Sequence, residues 1–269
     1  MDKLLRILQS TMETPKAFGT LHIVSLAVVA VLTIVLCVFF RNADRKTYRR
    51  ILLILWAVMI TMEAIKQLNE CYYVDDDGSI VWRYYWASFP FQLCSLPLFV
   101  LPLIAVMKEG KVRDALSAFS YTFLLLGGVT VMAVPSTVFY IYSFLNVQTM
   151  VHHGLQIVSC IYIAVHERKR IRLRAFGGAV IVFLIAVAMA TAFNVGLHAL
   201  YPEPKINMFY ISPYFKRTMP IFDEQWSRLH WAPMILLYSA GLSAISFVIF
   251  MLFYVLTLPS RKSRRAKRA

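Results

Sequence analysis

Apolar residues run through this chain in blocks of about twenty, the length a helix needs to cross a hydrocarbon core, and short basic or polar clusters separate the blocks. On that template the sequence predicts seven spans, approximately 21–40, 51–73, 90–107, 116–135, 149–166, 175–200 and 233–256. The third and fifth are short and carry polar residues at one end, as expected of tilted helices that enter from a wet cavity. No linker or soluble-domain-sized stretch interrupts the series, so 1–269 reads as a single integral membrane domain. Within it, 1–20, where Lys3, Arg6 and Lys16 separate apolar residues, reads as an interfacial helix before an uncleaved anchor, and 257–269 as a basic tail. The inverted repeat that marks many transporters is not evident.

Composition agrees. Hydrophobic residues make up 59% of the chain and mean hydropathy is +0.63, outside the range of soluble domains. The expected class is all-α, a polytopic helical bundle in the membrane, the cell membrane if the chain is bacterial. The net charge of +14 would suit nucleic acid, but its distribution argues for topology instead. Arg41, Arg45, Lys46, Arg49 and Arg50 follow span one; Lys108, Lys111 and Arg113 follow span three; Arg168, Lys169, Arg170, Arg172 and Arg174 follow span five; Arg261 to Arg268 close the chain. With an odd number of spans, the positive-inside rule puts the amino terminus outside and the carboxyl terminus in the cytoplasm. The opposite side carries the long sixth loop, in which Lys205, Lys216, Arg217 and Arg228 are mixed with prolines 202, 204, 213 and 220. The aromatics Phe209, Tyr210, Tyr214, Phe215, Phe222 and Trp226 would make that loop an interfacial cover, or a plain surface loop.

Polar side chains inside spans are expensive and mark interior sites. In the expected orientation Gln92 and Cys94, His152 and His153, and Asn194 and His198 all fall near the outer face, on three different helices. Span two adds Glu63, Lys66, Gln67 and Glu70, spaced by three and four so that they form one stripe. Glu63 and Lys66 neutralise each other, which fits a structural ion pair as well as a functional one. The cytoplasmic half offers few such groups.

The four cysteines suggest neither a disulfide framework nor a metal site, and no cofactor is implied. Cys94 stands apart, in Phe89-Pro-Phe-Gln-Leu-Cys-Ser-Leu-Pro97. Pro97 cannot donate to the Leu93 carbonyl, so a broken helix with a free acceptor is expected beside the thiol. A neutral imidazole within reach would make that thiol a nucleophile. His153 shares a stripe with Thr149, Gln156 and Cys160, and His152 with Gln156 and Ser159, so helical geometry does not choose between them. Asn194 and His198 are placed either to orient a base or to cap a helix.

Phe91-Gln-Leu-Cys-Ser95, then Met150-Val-His-His-Gly154 followed by Leu-Gln-Ile-Val, resembles the YwaF-like, transmembrane protein 164 family, and the likeness covers most of the chain. Ile206-Asn-Met-Phe-Tyr210 and Ser212-Pro213 are looser counterparts of a family segment that has lysine before the proline. The animal member is described as a phospholipid acyltransferase using a cysteine and a histidine, and related androgen-induced hydrolases use a threonine and a histidine. For this chain the resemblance implies acyl transfer through Cys94 and His153, the residue directly before Gly154, with membrane phospholipids as donor and acceptor. Gln92, His152, Gln156, Asn194, His198, Glu63 and Lys66 are then the expected polar pocket. The competing expectation is a lipid-binding protein or a proton-coupled transporter using the same polar layer.

Overall fold

The structure is a computed structural model and describes residues 7–74, 77, 79–202, 205–215 and 230–266, with side chains to 257. Lys3, Arg6, Pro204, Lys216, Arg217, Pro220, Phe222, Trp226 and Arg228 lie outside the described residues, as do the side chains of Arg261 to Arg268.

Each apolar block forms a helix: α1 Thr20–Phe39, α2 Arg45–Glu70, α3 Pro97–Val106, α4 Lys111–Ala133, α5 Ser143–His166, α6 Leu173–Leu200 and α7 Trp231–Ala266. Five of them (α1, α2, α4, α6 and α7) are long and apolar enough to cross a membrane. The other two depart for different reasons. α3 is cut short because residues 90–96 are not α-helical; only Leu93–Ser95 makes a single 3-10 turn. α5 has 24 residues, about 36 Å at 1.5 Å per residue, but its buried face is polar, with Asn146, Gln148, Thr149, His152, His153 and Gln156 turned inward.

Three helices start well before their apolar blocks, among them α4 at Lys111 rather than 116. α2 begins at Arg45 because Asp44 caps it, accepting from the backbone N–H of Thr47 and Lys46. α5 begins at Ser143 rather than 149, through a polar first turn. The chain between α2 and α3 holds a small antiparallel hairpin, Tyr72–Val74 with Ile80–Trp82, which hydropathy did not indicate. Ahead of α1 the expected interfacial helix is not continuous. From Ser10 the chain is extended, and Met12 and Ser143 each donate across to the facing backbone, at 2.8 and 2.9 Å. His22 then ties α1 to α4. Its Nδ1 accepts from the Phe18 N–H at 2.9 Å, so Nε2 carries the proton and donates to the Met132 carbonyl at 2.8 Å.

α5 lies centrally against α1, α2 and α4, and α4 packs along α6. Glycine sets two of these crossings. A Cβ on Gly154 would stand 2.6 Å from the Val29 side chain, and one on Gly178 would stand 2.6 Å from the Ala115 Cβ. Between the helices, aromatic rings fill the core, with Phe123 and Phe183 stacked at 4.5 Å.

The loops after α1, α3 and α5 meet at one end of the bundle, as the alternation of basic residues predicted. Arg168 donates to the Arg41 carbonyl and to Asn42, and Arg45 donates to the Met107 carbonyl. Arg170 bridges Asp114 and Glu109. This end also corrects the expectation that buried polar groups are confined to the opposite half. Arg113, expected as a loop charge, is 1% exposed, ion-paired with Glu167 and set over the Tyr48 ring at 5.7 Å. Burial alone would raise the pKa of Glu167, but its hydrogen bonds and the charges of His166 and Arg113 outweigh that and hold it below the ordinary 4.5.

Two outcomes are expected. Gly178→Leu forces α4 and α6 apart and costs about 1–3 kcal/mol by overpacking, whereas Gly177→Leu, on an exposed face with nothing within 4 Å, leaves the thermal unfolding midpoint in detergent unchanged. The Glu167 carboxylate is favoured by folding, so its contribution is complete above about pH 4.5 and is lost as pH falls through its lowered value. Unfolding midpoints followed through acid should therefore drop in the wild type and stay flatter, from a lower plateau, in Glu167→Gln; parallel curves would refute the role of this pair.

Candidate functional site

Two prolines shape the segment that carries Cys94. Pro90 restricts the residue before it, and Phe89 is accordingly extended at φ −53°, ψ 128°. The 3-10 turn closes through the Ser95 N–H to the Gln92 carbonyl at 2.9 Å. Pro97 then takes the first position of α3, where a missing N–H is harmless. Pro97 therefore starts a helix instead of breaking one, which corrects the expected kink.

An irregular backbone at membrane depth needs partners from the protein, and side-chain amides supply them. Gln92 donates through Nε2 to the Asn207 carbonyl at 2.8 Å and accepts at Oε1 from the Phe209 N–H at 2.7 Å. Asn194 does the same for Met208, with 3.0 Å to its carbonyl and 2.6 Å from its N–H. Between these two clamps, Phe209 and Tyr210 sit in the left-handed region at φ 56° and 58°, a costly conformation for aromatic residues that persists where surroundings impose it. Phe91, Phe193 and Phe209 pack around the turn.

α5 supplies the imidazoles. His152 Nε2 lies 3.0 Å from the Cys94 carbonyl, and His153 Nδ1 lies 2.8 Å from the Thr149 carbonyl one turn back. A carbonyl only accepts, so each of these nitrogens carries a proton. The remaining nitrogens, His152 Nδ1 and His153 Nε2, are therefore lone-pair acceptors in the neutral rings. Both are buried and without a hydrogen-bond partner, so neither is bonded to the Cys94 thiol here. The rings meet edge to face at 5.4 Å.

One turn further along α5, Gln156 donates to the Leu124 carbonyl at 2.7 Å, at the end of a π-helical turn in α4 over Ser120–Leu124. Such turns are frequent at functional sites. Gly128 lets α4 come this close, since a Cβ there would stand 3.2 Å from the Gln156 side chain and 3.1 Å from that of Ile157, whereas one on Gly127 would meet Gln156 and the Cys94 backbone at ordinary contact distance. On the α2 side Glu63 is buried, with Lys66 Nζ at 3.0 Å, Gln67 Nε2 at 2.7 Å and Gln148 Nε2 at 3.4 Å.

Cys94 also borders a cleft of about 450 Å³ between α4, α7 and the 208–210 turn. Its walls are almost wholly apolar, with Gln92, Thr130, Tyr210 and Tyr238 beside the cysteine.

The profile of the TMEM164 family matches residues 17–257. The chain belongs to the TMEM164 family. This is the family expected from Phe91–Ser95 and Met150–Gly154, and the matched stretch runs through every helix that builds the site. With its several long apolar helices, this TMEM164-family chain is a multi-pass integral membrane protein. No curated protein and no solved structure matches it.

In this family member the expected polar residues divide. Cys94, His152, His153, Gln156, Glu63 and Lys66 come together around the junction of α2, α5 and the 3-10 turn. Gln92 and Asn194 hold main chain instead. His198 stacks on Tyr214 at 3.9 Å, as part of the packing of the sixth loop. Tyr238 and Gly241 of α7 were missed, because a tyrosine and a glycine within an apolar block carry no signal until the helix is placed. Among the described residues no group of three histidine, cysteine or acidic side chains is arranged to hold a metal.

Gln92→Leu strands the Phe209 N–H and the Asn207 carbonyl, each at about 1–3 kcal/mol. Amide hydrogen exchange over 206–212 should accelerate at least tenfold, which corresponds to about 1.4 kcal/mol. Unchanged protection there would show that Gln92 does not hold the turn.

Proposed function

We propose that this protein is a membrane-embedded acyltransferase acting on phospholipid esters, with Cys94 as nucleophile and His153 as general base. The observation that supports this reading is the position of Cys94, which borders an open apolar cleft and whose carbonyl is held by His152, while His152 and the adjoining His153 each keep a buried ring nitrogen without a partner. A lipid ester reaches such a residue with its chain in an apolar site and its carbonyl at the thiol.

In the first step His153 Nε2 takes the Cys94 proton and the sulfur attacks the ester carbonyl. A C–S bond forms, the ester C–O bond breaks, and the imidazolium proton goes to the departing alkoxide, leaving a lysolipid and a thioester. In the second, the hydroxyl of an acceptor lipid attacks the thioester while its proton passes to His153. The C–S bond breaks and the thiolate recovers that proton. Water in place of the acceptor makes the same site a hydrolase. His152 is a positioning residue, because its Nε2 holds the carbonyl of the nucleophile's own residue. Glu63 pairs the Lys66 ammonium, and Gln67 and Gln148 donate to the same carboxylate.

The same reading has all seven helices in the membrane, with the amino terminus outside and the carboxyl terminus in the cytoplasm. It is supported by the meeting of the basic loops at one end, and it puts Cys94 toward the outer leaflet, where phospholipid ester groups lie.

The test is acyl-enzyme formation by purified protein with an alkyne-tagged phospholipid, read as thioester that hydroxylamine removes. Cys94→Ala should abolish the adduct. His153→Ala should slow its formation by roughly 10²–10⁴-fold, the range of general base catalysis, and His152→Ala should act less. An adduct that survives loss of the cysteine would remove the nucleophile. A wild type that binds lipid and never forms the adduct would be a lipid-binding protein or a transporter.

A further inference from the structure

The cleft beside Cys94 has features that a reactive thiol does not require. Its α4 wall is Leu126, Gly127, Thr130 and Val131, and its α7 wall runs from Leu237 and Tyr238 through Gly241 and Leu242 to Ile245. Those α7 residues occupy one face over eight helical steps, about 12 Å at 1.5 Å per residue. Leu237 and Ile245 remain 52% and 49% exposed. The cleft is therefore open along its side, between two helices long and apolar enough to cross a membrane, where the neighbours are lipid chains.

The cleft of about 450 Å³ is lined almost wholly by apolar groups and opens beside two helices long and apolar enough to cross a membrane, which suits a hydrocarbon chain. The volume also lies in the usual range for small-ligand pockets, roughly 300–1,000 Å³. Water has little reason to stay, since an apolar cavity without polar partners is dry.

Gly241 bears on the same point. Glycine inside a helix is about 1 kcal/mol worse than alanine, and a Cβ built on Gly241 meets nothing within 4 Å. No neighbouring element demands the missing side chain, and the space it leaves belongs to the cleft. Gly127, on the facing wall, opens the floor beside Cys94.

We propose that this cleft holds a single acyl chain of a membrane lipid, entering sideways between α4 and α7 with its carbonyl end toward Cys94, and that Gly241 determines the room available to it. The orientation of the chain rests on the acyl-transfer reading above; occupancy of the cleft does not.

The experiment uses the full chain in nanodiscs doped with a phosphatidylcholine that carries a photoactivatable diazirine in a sixteen-carbon sn-2 chain. Adducts are mapped to peptides by mass spectrometry. Labelling should concentrate on peptides containing 126–131 and 237–245. It should fall at least fivefold in Gly241→Phe, fall less in Gly241→Ala, and persist in Gly177→Phe. Elution as a single monodisperse species shows that each variant is folded, and Gly241→Ala, the better helix former, covers the case in which phenylalanine is not tolerated. Labelling spread evenly over the lipid-facing helices, or unaffected by both Gly241 variants, overturns the proposal, and so do protein-to-protein crosslinks at these positions in place of lipid adducts. Cys94→Ala separates the two readings. Retained, Gly241-sensitive labelling in that variant sustains the chain site, even if the wild type forms no thioester and the chemistry falls.

Discussion

Main chain that is not helical cannot lie bare in hydrocarbon, and that constraint organises this protein. Between Phe89 and Leu96, and again between Asn207 and Ser212, the backbone leaves regular structure inside the bundle. Water is excluded there, so side chains must complete its hydrogen bonds. The Gln92 and Asn194 amides each bond both a donor and an acceptor of the second segment, and His152 takes the Cys94 carbonyl. Gln156 does the same for the Leu124 carbonyl at the π turn. Most of the conspicuous polar residues of the spans are thus occupied with main chain.

What they leave over is informative. After these obligations His152 retains a free Nδ1, His153 a free Nε2 and Gln156 a free Oε1, all buried. Buried polar atoms without partners are uncommon in folded proteins, and each one needs a reason. Three of them on the helix whose His152 holds the Cys94 carbonyl and whose Gln148 reaches Glu63 are the residue of the structure's own bonding that chemistry can use. The cleft lies on the other side of the same cysteine. Cys94 therefore separates a polar interior from an apolar entrance, the division a lipid ester requires of a site that attacks its carbonyl.

The two ends of the bundle use charge differently. At one end Arg113, Glu167 and Tyr48 form a closed set in which the buried guanidinium is neutralised and stacked. At the other, Lys66 is neutralised by Glu63, whose carboxylate also accepts from Gln67 and Gln148. A buried pair whose removal leaves an unpaired charge is costly wherever it sits, so both sets resist change. The distinction lies in what surrounds them, which is the Tyr48 ring for Arg113 and, for Lys66, a carboxylate that two side-chain amides also bond.

The hydrophobic blocks alone determined the class of this protein, the placing of a helix on each block and, for α1 and α6, where it begins and ends to within a few residues, because burial in hydrocarbon is read from composition. The alternation of arginine and lysine determined which loops meet. The short motifs around Cys94 and His153 determined the family. Hydropathy missed the polar first turns of α2 and α5, which reports membrane depth and not helix, and it missed the role of Pro97, which depends on whether the preceding residues are helical. Only the tertiary structure decided which polar side chains were spent on backbone, that His152 holds the Cys94 carbonyl, that Arg113 is buried, and that Gly241 faces an open cleft. Each of these depends on what another helix presents at the same depth, and a single sequence does not contain the register between helices.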